Sequence, residues 1–345
     1  MITKYQAIHT NFKLNGKHFS KTELCQFANE IADSKEEYEQ QLANFILEWF
    51  DDKEYIALTT SGTTGIPKII QLKKEAMVNS ACATAAFFDL KEDCKALHCL
   101  PTQYIAGKMM LVRALVLGWD LDFVKPDTHP LDGNKKTYDF AAMVPLQVEK
   151  SLAQLHRVKT IIVGGAKLNL TLVNKLKTIP SAIYETYGMT ETITHIAAKK
   201  VQDNAFLVLP GIQITTDSRN CLIIEAPRLS NEKIITNDVV EISDGNKFVW
   251  LGRFDNVINS GGVKLFPEKI EEKLSGKIPH RYFVIGKPDV SLGEKLILVI
   301  ESEPYTIENS VFEGLDKYEK PREIVFVSKF SETETGKIKR AESIQ

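Results

Sequence analysis

The sequence predicts an α/β protein: a large N-terminal region with mainly parallel sheets and helices plus a strand-rich segment, followed by a small α+β C-terminal region. Three observations predict it. Between Tyr55 and Gly188, short apolar runs alternate with longer stretches whose apolar residues recur at helical spacing, the pattern of βαβ units. From about residue 205 the texture shifts to short, closely spaced strands such as GIQITT, CLIIEAP, NDVVEI and KFVWLG. A length of 345 residues, with 43% hydrophobic and 26% charged residues, suits a globular chain of about two domains.

The elements follow in chain order. From Ser34, SKEEYEQQLANFILEWF opens with a capping box, Ser34 to Glu37, and repeats Tyr38, Leu42, Phe45, Ile46 and Trp49 on one helical face. YIALTT and KIIQL read as strands on either side of a Gly- and Thr-rich loop, KEAMVNSACATAAFFDL as a helix and ALHCL as a strand. IAGKMMLVRALVLG is a helix that is apolar on nearly every face, which predicts burial. DLDFV and DFAAMV are strands, LQVEKSLAQL a helix, TIIVGG a strand, NLTLVNKLKT a helix and AIYETYG a strand. The polar loops after YIALTT, TIIV and AIYE would then converge at the carboxyl edge of a parallel sheet, where such folds bind ligands. LGRFDNVINSGGVKLFPEKIEEKL opens the α+β region, so the boundary is placed after Arg253, giving domains 1–253 and 254–345.

Composition narrows the partners. A net charge of -2 offers no basic excess for nucleic acid. The first twenty residues contain no apolar core of signal-peptide length, and no stretch approaches about 18 uncharged apolar residues, so no stable membrane insertion and a cytoplasmic location are expected. The five cysteines form no CxxC pair, and Cys94, His98 and Cys99 sit in an apolar strand, where Cys is a small core residue. The sequence leaves homo-oligomerisation open.

Residues 59–68, TTSGTTGIPK, raise the question of chemistry. Glycines let backbone N–H groups approach an anion, hydroxyls donate to it and a lysine neutralises it, so a phosphate cradle is one reading and a polar surface turn the other. The ordinary P-loop needs the lysine directly after the second glycine, whereas here Ile66 and Pro67 intervene. The segment instead resembles the [ST]-S-G-T-T-G-x-P-K signature of the adenylate-forming enzymes, the superfamily of acyl-CoA synthetases, peptide-synthetase adenylation domains and luciferases. GGAKL at 164–168, YGMTET at 187–192, TND at 236–238, LGRFDNVINSGGVK from Leu251 and TGKIKR at 335–340 resemble its companion motifs, in the same order. The compact form, with CLPTQYIAGKMM and YGMTETITHIA, resembles the short o-succinylbenzoate:CoA ligases within it.

That resemblance implies ATP, Mg²⁺ and coenzyme A as cofactors and co-substrates, a small carboxylic acid as substrate, and a small C-terminal domain that is mobile between half-reactions. It places Thr60, Ser61, Gly62, Thr63, Thr64, Gly65 and Lys68 at the phosphates. Gly164, Gly165 and Ala166 would lie along adenine, with Tyr187 and Gly188 also at the nucleotide. Thr190 would touch the α-phosphate, Glu191 would hold Mg²⁺, and Asp238 and Arg253 would bind ribose. Asp255 would be the hinge, Gly261, Gly262 and Lys264 would face the CoA channel, and Lys337 would be the catalytic lysine.

For the acyl pocket, Gln103 and Tyr104 stand where many relatives have an aromatic residue and His. Met189, Thr194 and His195 are expected to line it, with a core-edge role open for His195. Lys108 and Arg113 are the only charges on the apolar helix. Each either faces a substrate carboxylate or is accommodated by snorkelling or by a protein carboxylate. Asn237 replaces the usual Gly, serving a turn or touching nucleotide. Other aryl or fatty acids, a carrier-protein acceptor, and a catalytically silent nucleotide-binding module remain as alternatives.

Overall fold

The computed structural model describes residues 5–60, 68–133, 135–332 and 338–344. Its α-helices among these are α1 Lys21–Ile31, α2 Glu37–Phe50, α3 Lys74–Phe88, α4 Ile105–Leu117, α5 Pro145–Lys150, α6 Leu170–Leu176 and α7 Pro267–Leu274. In α2, Leu42, Phe45, Ile46 and Trp49 are fully buried, as the 3.6-residue spacing requires. The expected Ser34–Glu37 box does not form. Glu36 is the N-cap, and Ser34 Oγ instead accepts from Glu36 N–H (3.2 Å) and donates to Glu39, so the serine serves a local turn ahead of the helix. A true box opens α1, where Glu23 N–H donates to Ser20 Oγ (3.3 Å) and Ser20 N–H to the Glu23 carboxylate (2.8 Å).

A 13-stranded sheet spans the first 253 residues. One half is parallel, running from Ala182–Gly188 through Val158–Val163, Tyr138–Met143, Lys95–His98 and Asp120–Phe123 to Lys13–Leu14. The other half is antiparallel, running from His195–Lys200 through Phe206–Val208, Lys247–Arg253, Ile234–Ser243 and Cys221–Glu225 to Gln213–Thr216. Strand Ala182–Gly188 is the seam, with a parallel neighbour on one side and antiparallel His195–Lys200 on the other. The motif at its carboxyl end therefore lies where the sheet changes character.

Strands Tyr55–Thr60 and Lys68–Lys73 pair antiparallel in a separate two-stranded sheet. Tyr55–Thr60 is thus not a strand of the main sheet, correcting the expectation that all three polar loops leave one parallel sheet; residues 61–67 themselves lie outside the described residues. Strand Lys68–Lys73 nevertheless touches the Thr190–Thr192 turn, which brings this hairpin to the seam. After Arg253 a 3₁₀ turn, Phe254–Asn256, leads to a second, five-stranded sheet. Its core is built from its own residues, among them Ile258, Ile270, Leu274, Val284 and Leu298.

Helix α4 is sandwiched in the main core, every residue from Gly107 to Val116 being buried. A Cβ at Gly107 would lie 2.2 Å from Pro101 O and 2.9 Å from Thr102 Cα, so only glycine lets the helix start so close to that backbone. At 13 residues α4 is too short to cross a bilayer, and no described helix is long and apolar enough to do so.

Candidate active site

Two cavities meet at the seam, sharing Gly165, Thr186 and Gly188 as wall. The first, about 360 Å³, mixes polar and apolar lining and lies between the turn at 165–166, Tyr187, Asp238 and Trp250, with Lys269 and Glu272 of α7 on its rim. The second, about 280 Å³, is mainly apolar and is lined by Ile105, Arg113, Val144, Met189, Thr194 and His195, among others.

In the first cavity, Asp238 is 7% exposed and receives the Tyr187 hydroxyl (2.6 Å) and the Trp250 indole N–H (3.1 Å). Arg253 stands 3.7 Å from the same carboxylate and 3.5 Å from Asp255. Burial raises the Tyr187 pKa, and the Asp238 charge raises it further, so the phenol stays a donor. Two donors leave lone pairs of Asp238 available to a vicinal diol. Gly165 has φ of 86°, a conformation that favours glycine, and it exposes backbone to both cavities.

At the seam, the end of Ala182–Gly188 and the start of His195–Lys200 touch backbone to backbone. A Cβ at Gly188 would fall 2.4 Å from Thr194 O and 2.5 Å from His195 Cα. The connecting chain reverses at Ile193, where φ is 67° and ψ -58° and Thr194 N–H donates to Thr192 O (2.7 Å). This is a γ-turn on a β-branched residue, strained by about 1–3 kcal/mol. It places Thr190 and Thr194 on one cavity wall. Glu191 is exposed beside Thr190, a hard carboxylate oxygen of the kind Mg²⁺ takes.

The two charges of α4 separate cleanly. Lys108 is satisfied inside the protein, 3.3 Å from Glu48 and over the Phe45 ring at 4.2 Å, and it does not line the cavity. Tyr104 is 62% exposed at the N-cap of α4 and also lies off the cavity wall, so the expected acyl-pocket roles of Lys108 and Tyr104 are corrected: a protein carboxylate neutralises one and solvent takes the other. Arg113 does line the cavity and is 2% exposed. Its NH2 donates to Thr194 Oγ (3.2 Å), its Nε has no hydrogen-bond partner, and among the described residues no carboxylate pairs with it. Burial pulls its pKa down. His195, 7% exposed, shares the same Thr194 hydroxyl through Nδ1 (3.0 Å), and burial followed by the Arg113 charge pushes its pKa down to about 3, so it is neutral.

Other expected residues fall as follows. Ser61, Gly62, Thr63, Thr64, Gly65 and Lys337 lie outside the described residues, and Thr60 and Lys68 are placed by backbone alone. Gly261 and Gly262, φ of 59° and 82°, form the two-residue turn of a hairpin in the second sheet; with Lys264 they line neither cavity. Asn237 neither occupies a left-handed turn nor faces the first cavity: it accepts from Arg219 (3.1 Å) and donates to Asp255 (3.2 Å). Sequence reasoning missed Trp250, and it missed the closure of the first cavity by α7, where Lys167 pairs with Glu272 (2.9 Å) while lying over the Trp250 ring. Strand alternation could have flagged Trp250; nothing local signals the approach of α7.

Comparison with known proteins gives a consistent picture. Residues 8–215 match the model of a family described as AMP-binding enzyme. The 2-succinylbenzoate–CoA ligase of Lactococcus lactis subsp. lactis is 24% identical over 321 residues, covering 85% of this chain and 71% of the relative. A probable 2-succinylbenzoate–CoA ligase of Mycobacterium tuberculosis is 26% identical over 330 residues, 85% of each chain. Among solved structures, an acyl-CoA synthetase (AMP-forming)/AMP-acid ligase II-like protein from Dyadobacter fermentans is 34% identical, with a TM-score of 0.63 over 93% of this chain and 97% of that one. The o-succinylbenzoate CoA synthetase of Bacillus subtilis in complex with the acyl-adenylate intermediate OSB-AMP shares the fold, with a TM-score of 0.72 and 20% identity over 83% of this chain and 68% of that one.

Proposed function

The chain belongs to the AMP-binding enzyme family, and on that premise we propose that it is an AMP-forming acid:CoA ligase whose acid is o-succinylbenzoate. A carboxylate oxygen of the acid attacks the α-phosphorus of ATP, the bond to pyrophosphate breaks, and an acyl-adenylate remains. The thiol of coenzyme A then loses its proton and attacks the acyl carbonyl, and the C–O bond to AMP breaks to leave the thioester.

The observation that carries this reading is the shared wall of the two cavities. A nucleotide in the first, held at its ribose by Asp238, places its α-phosphate towards Gly165, Thr186 and Gly188, where an acid in the second presents its carboxylate. Both transition states spread negative charge, and preorganised N–H groups, hydroxyls and a lysine stabilise such charge. Thr190 and Lys337 take those roles. Glu191 would hold Mg²⁺, which supplies charge stabilisation to the phosphates when bound. Gly164, Gly165 and Ala166 bound the base, Asp255 is the hinge between domains 1–253 and 254–345, and Gly261, Gly262 and Lys264 serve the CoA channel.

The choice of acid rests on Arg113. A guanidinium buried in a mainly apolar cavity, with no carboxylate paired to it among the described residues, calls for an anion from the ligand, which an acid with a second, distal carboxylate supplies. The names of the Lactococcus and Mycobacterium relatives point to the same acid. The test is pyrophosphate release from ATP and Mg²⁺ with o-succinylbenzoate, benzoate or octanoate, each with and without coenzyme A. Release confined to o-succinylbenzoate, with thioester formed only when CoA is present, is expected; release with a monocarboxylic acid alone overturns the substrate, and silence with every acid overturns the activity.

A further inference from the structure

Residues 338–340, just after the position of Lys337, are held by a bridge and ion pairs that none of the expected roles uses. Glu332 and Ile338 form an isolated antiparallel bridge, and Lys339 N–H donates to Ser331 O (2.8 Å). Arg340 follows at once. Its guanidinium takes both oxygens of Glu271 (2.8 and 3.0 Å) and also donates to Val284 O (2.8 Å). Glu271 is fixed in turn, accepting from Val284 N–H (2.8 Å). One helical turn away, Glu268 stands 3.9 Å from Arg340 and accepts from the Asn256 side chain, in the Phe254–Asn256 turn that contains the hinge residue Asp255. Asp255 and Asn256 of that turn share the wall of a cavity of about 400 Å³ with Ile338 and Arg340, and Glu268 of α7 reaches both Asn256 and Arg340.

We propose that Arg340 is a positioning residue for adenylate formation: clamped by Glu271, it orients the segment bearing Lys337 and, through Glu268 and Asn256, ties that segment to the hinge. The inference rests on the proposed ligase reading and on Lys337 acting in the first half-reaction. A planar fork engaged with both oxygens of a carboxylate sets direction as well as distance, which an ammonium at the same place does not.

The test separates the half-reactions. Acid-dependent exchange of pyrophosphate into ATP reads adenylate formation, and thioester formation from synthetic acyl-adenylate and CoA reads the second step. In Arg340→Gln and Glu271→Gln, the kcat of exchange is expected to fall about 30-fold or more, with KM for ATP and the thioester step each within about threefold of wild type. Arg340→Lys is expected to recover only part of the loss. Equal loss in both half-reactions, by either the glutamine or the lysine variant, assigns Arg340 a structural role and overturns the proposal, as does unchanged exchange. Lys337→Ala tests the premise separately: if it retains exchange, the reading of Lys337 fails whatever Arg340 does.

Discussion

Replacing Arg113 by Met should weaken the acid while leaving the fold intact or firmer. In the free protein the guanidinium is 2% exposed with one hydrogen bond to Thr194, one weak contact to Met110 Sδ (3.7 Å) and an unpartnered Nε, so its desolvation is poorly compensated. An unbranched thioether of similar length removes that cost, and exchanges of buried charge for apolar volume are neutral or stabilising by about 1–4 kcal/mol. With substrate bound, the same change removes charge-assisted hydrogen bonds worth about 1.5–3 kcal/mol each. Two such bonds come to about 3 kcal/mol at the lower end, or about 150-fold in affinity. The measurements are KM for o-succinylbenzoate in pyrophosphate release, the inhibition constant of benzoate, which lacks the distal carboxylate, against o-succinylbenzoate, and thermal unfolding of the free protein. The reasoning is refuted if the midpoint drops by several degrees, because Arg113 is then a satisfied structural group, or if the KM for o-succinylbenzoate is unmoved.

Three further outcomes follow from the geometry. Asp238→Asn should raise KM for ATP about 10- to 100-fold with little change in KM for the acid, because the amide offers one acceptor oxygen where Tyr187, Trp250 and the ribose need two; initial-rate kinetics with each substrate varied will show it. Burial pushes the pKa of both His98 and His195 down to about 3 from 6.5, so between those values the unfolded chain binds protons that the folded chain does not, and stability falls as pH drops from 6.5 towards 3. Urea titrations at pH 7 and 4.5 should therefore show a smaller acid loss in His98→Gln than in wild type. Gly107→Ala should destabilise by about 3 kcal/mol or more, since the new methyl meets the Pro101 and Thr102 backbone and not a yielding side chain, and the same denaturation assay measures it.

Much of this protein was legible in one dimension because its signals are local. Apolar periodicity depends on which face of a helix or strand meets a core, so α2 follows from spacing, α4 from an apolar run that predicts burial, and the parallel strands from Lys95–His98 to Ala182–Gly188 from their short apolar runs, whereas Lys13–Leu14 carries no such signal. The motifs at 164–168 and 187–192 were legible for a related reason: a glycine that admits a backbone approach, as at Gly188, leaves its mark at its own position. The sequence could also say that two buried charges on α4 needed explaining. It could not say which one the protein neutralises, since Glu48 is 60 residues from Lys108 and comes beside it only when α2 packs near α4. The γ-turn at Ile193 contradicts local preference and is held by contacts on both sides of it, so no propensity announces it. The separate hairpin of residues 55–73, the rim that α7 adds to the nucleotide cavity and the grip of Glu271 on Arg340 are likewise decisions of the tertiary structure. Each joins groups far apart in the chain, and their energies exist only once packing has excluded water from between them.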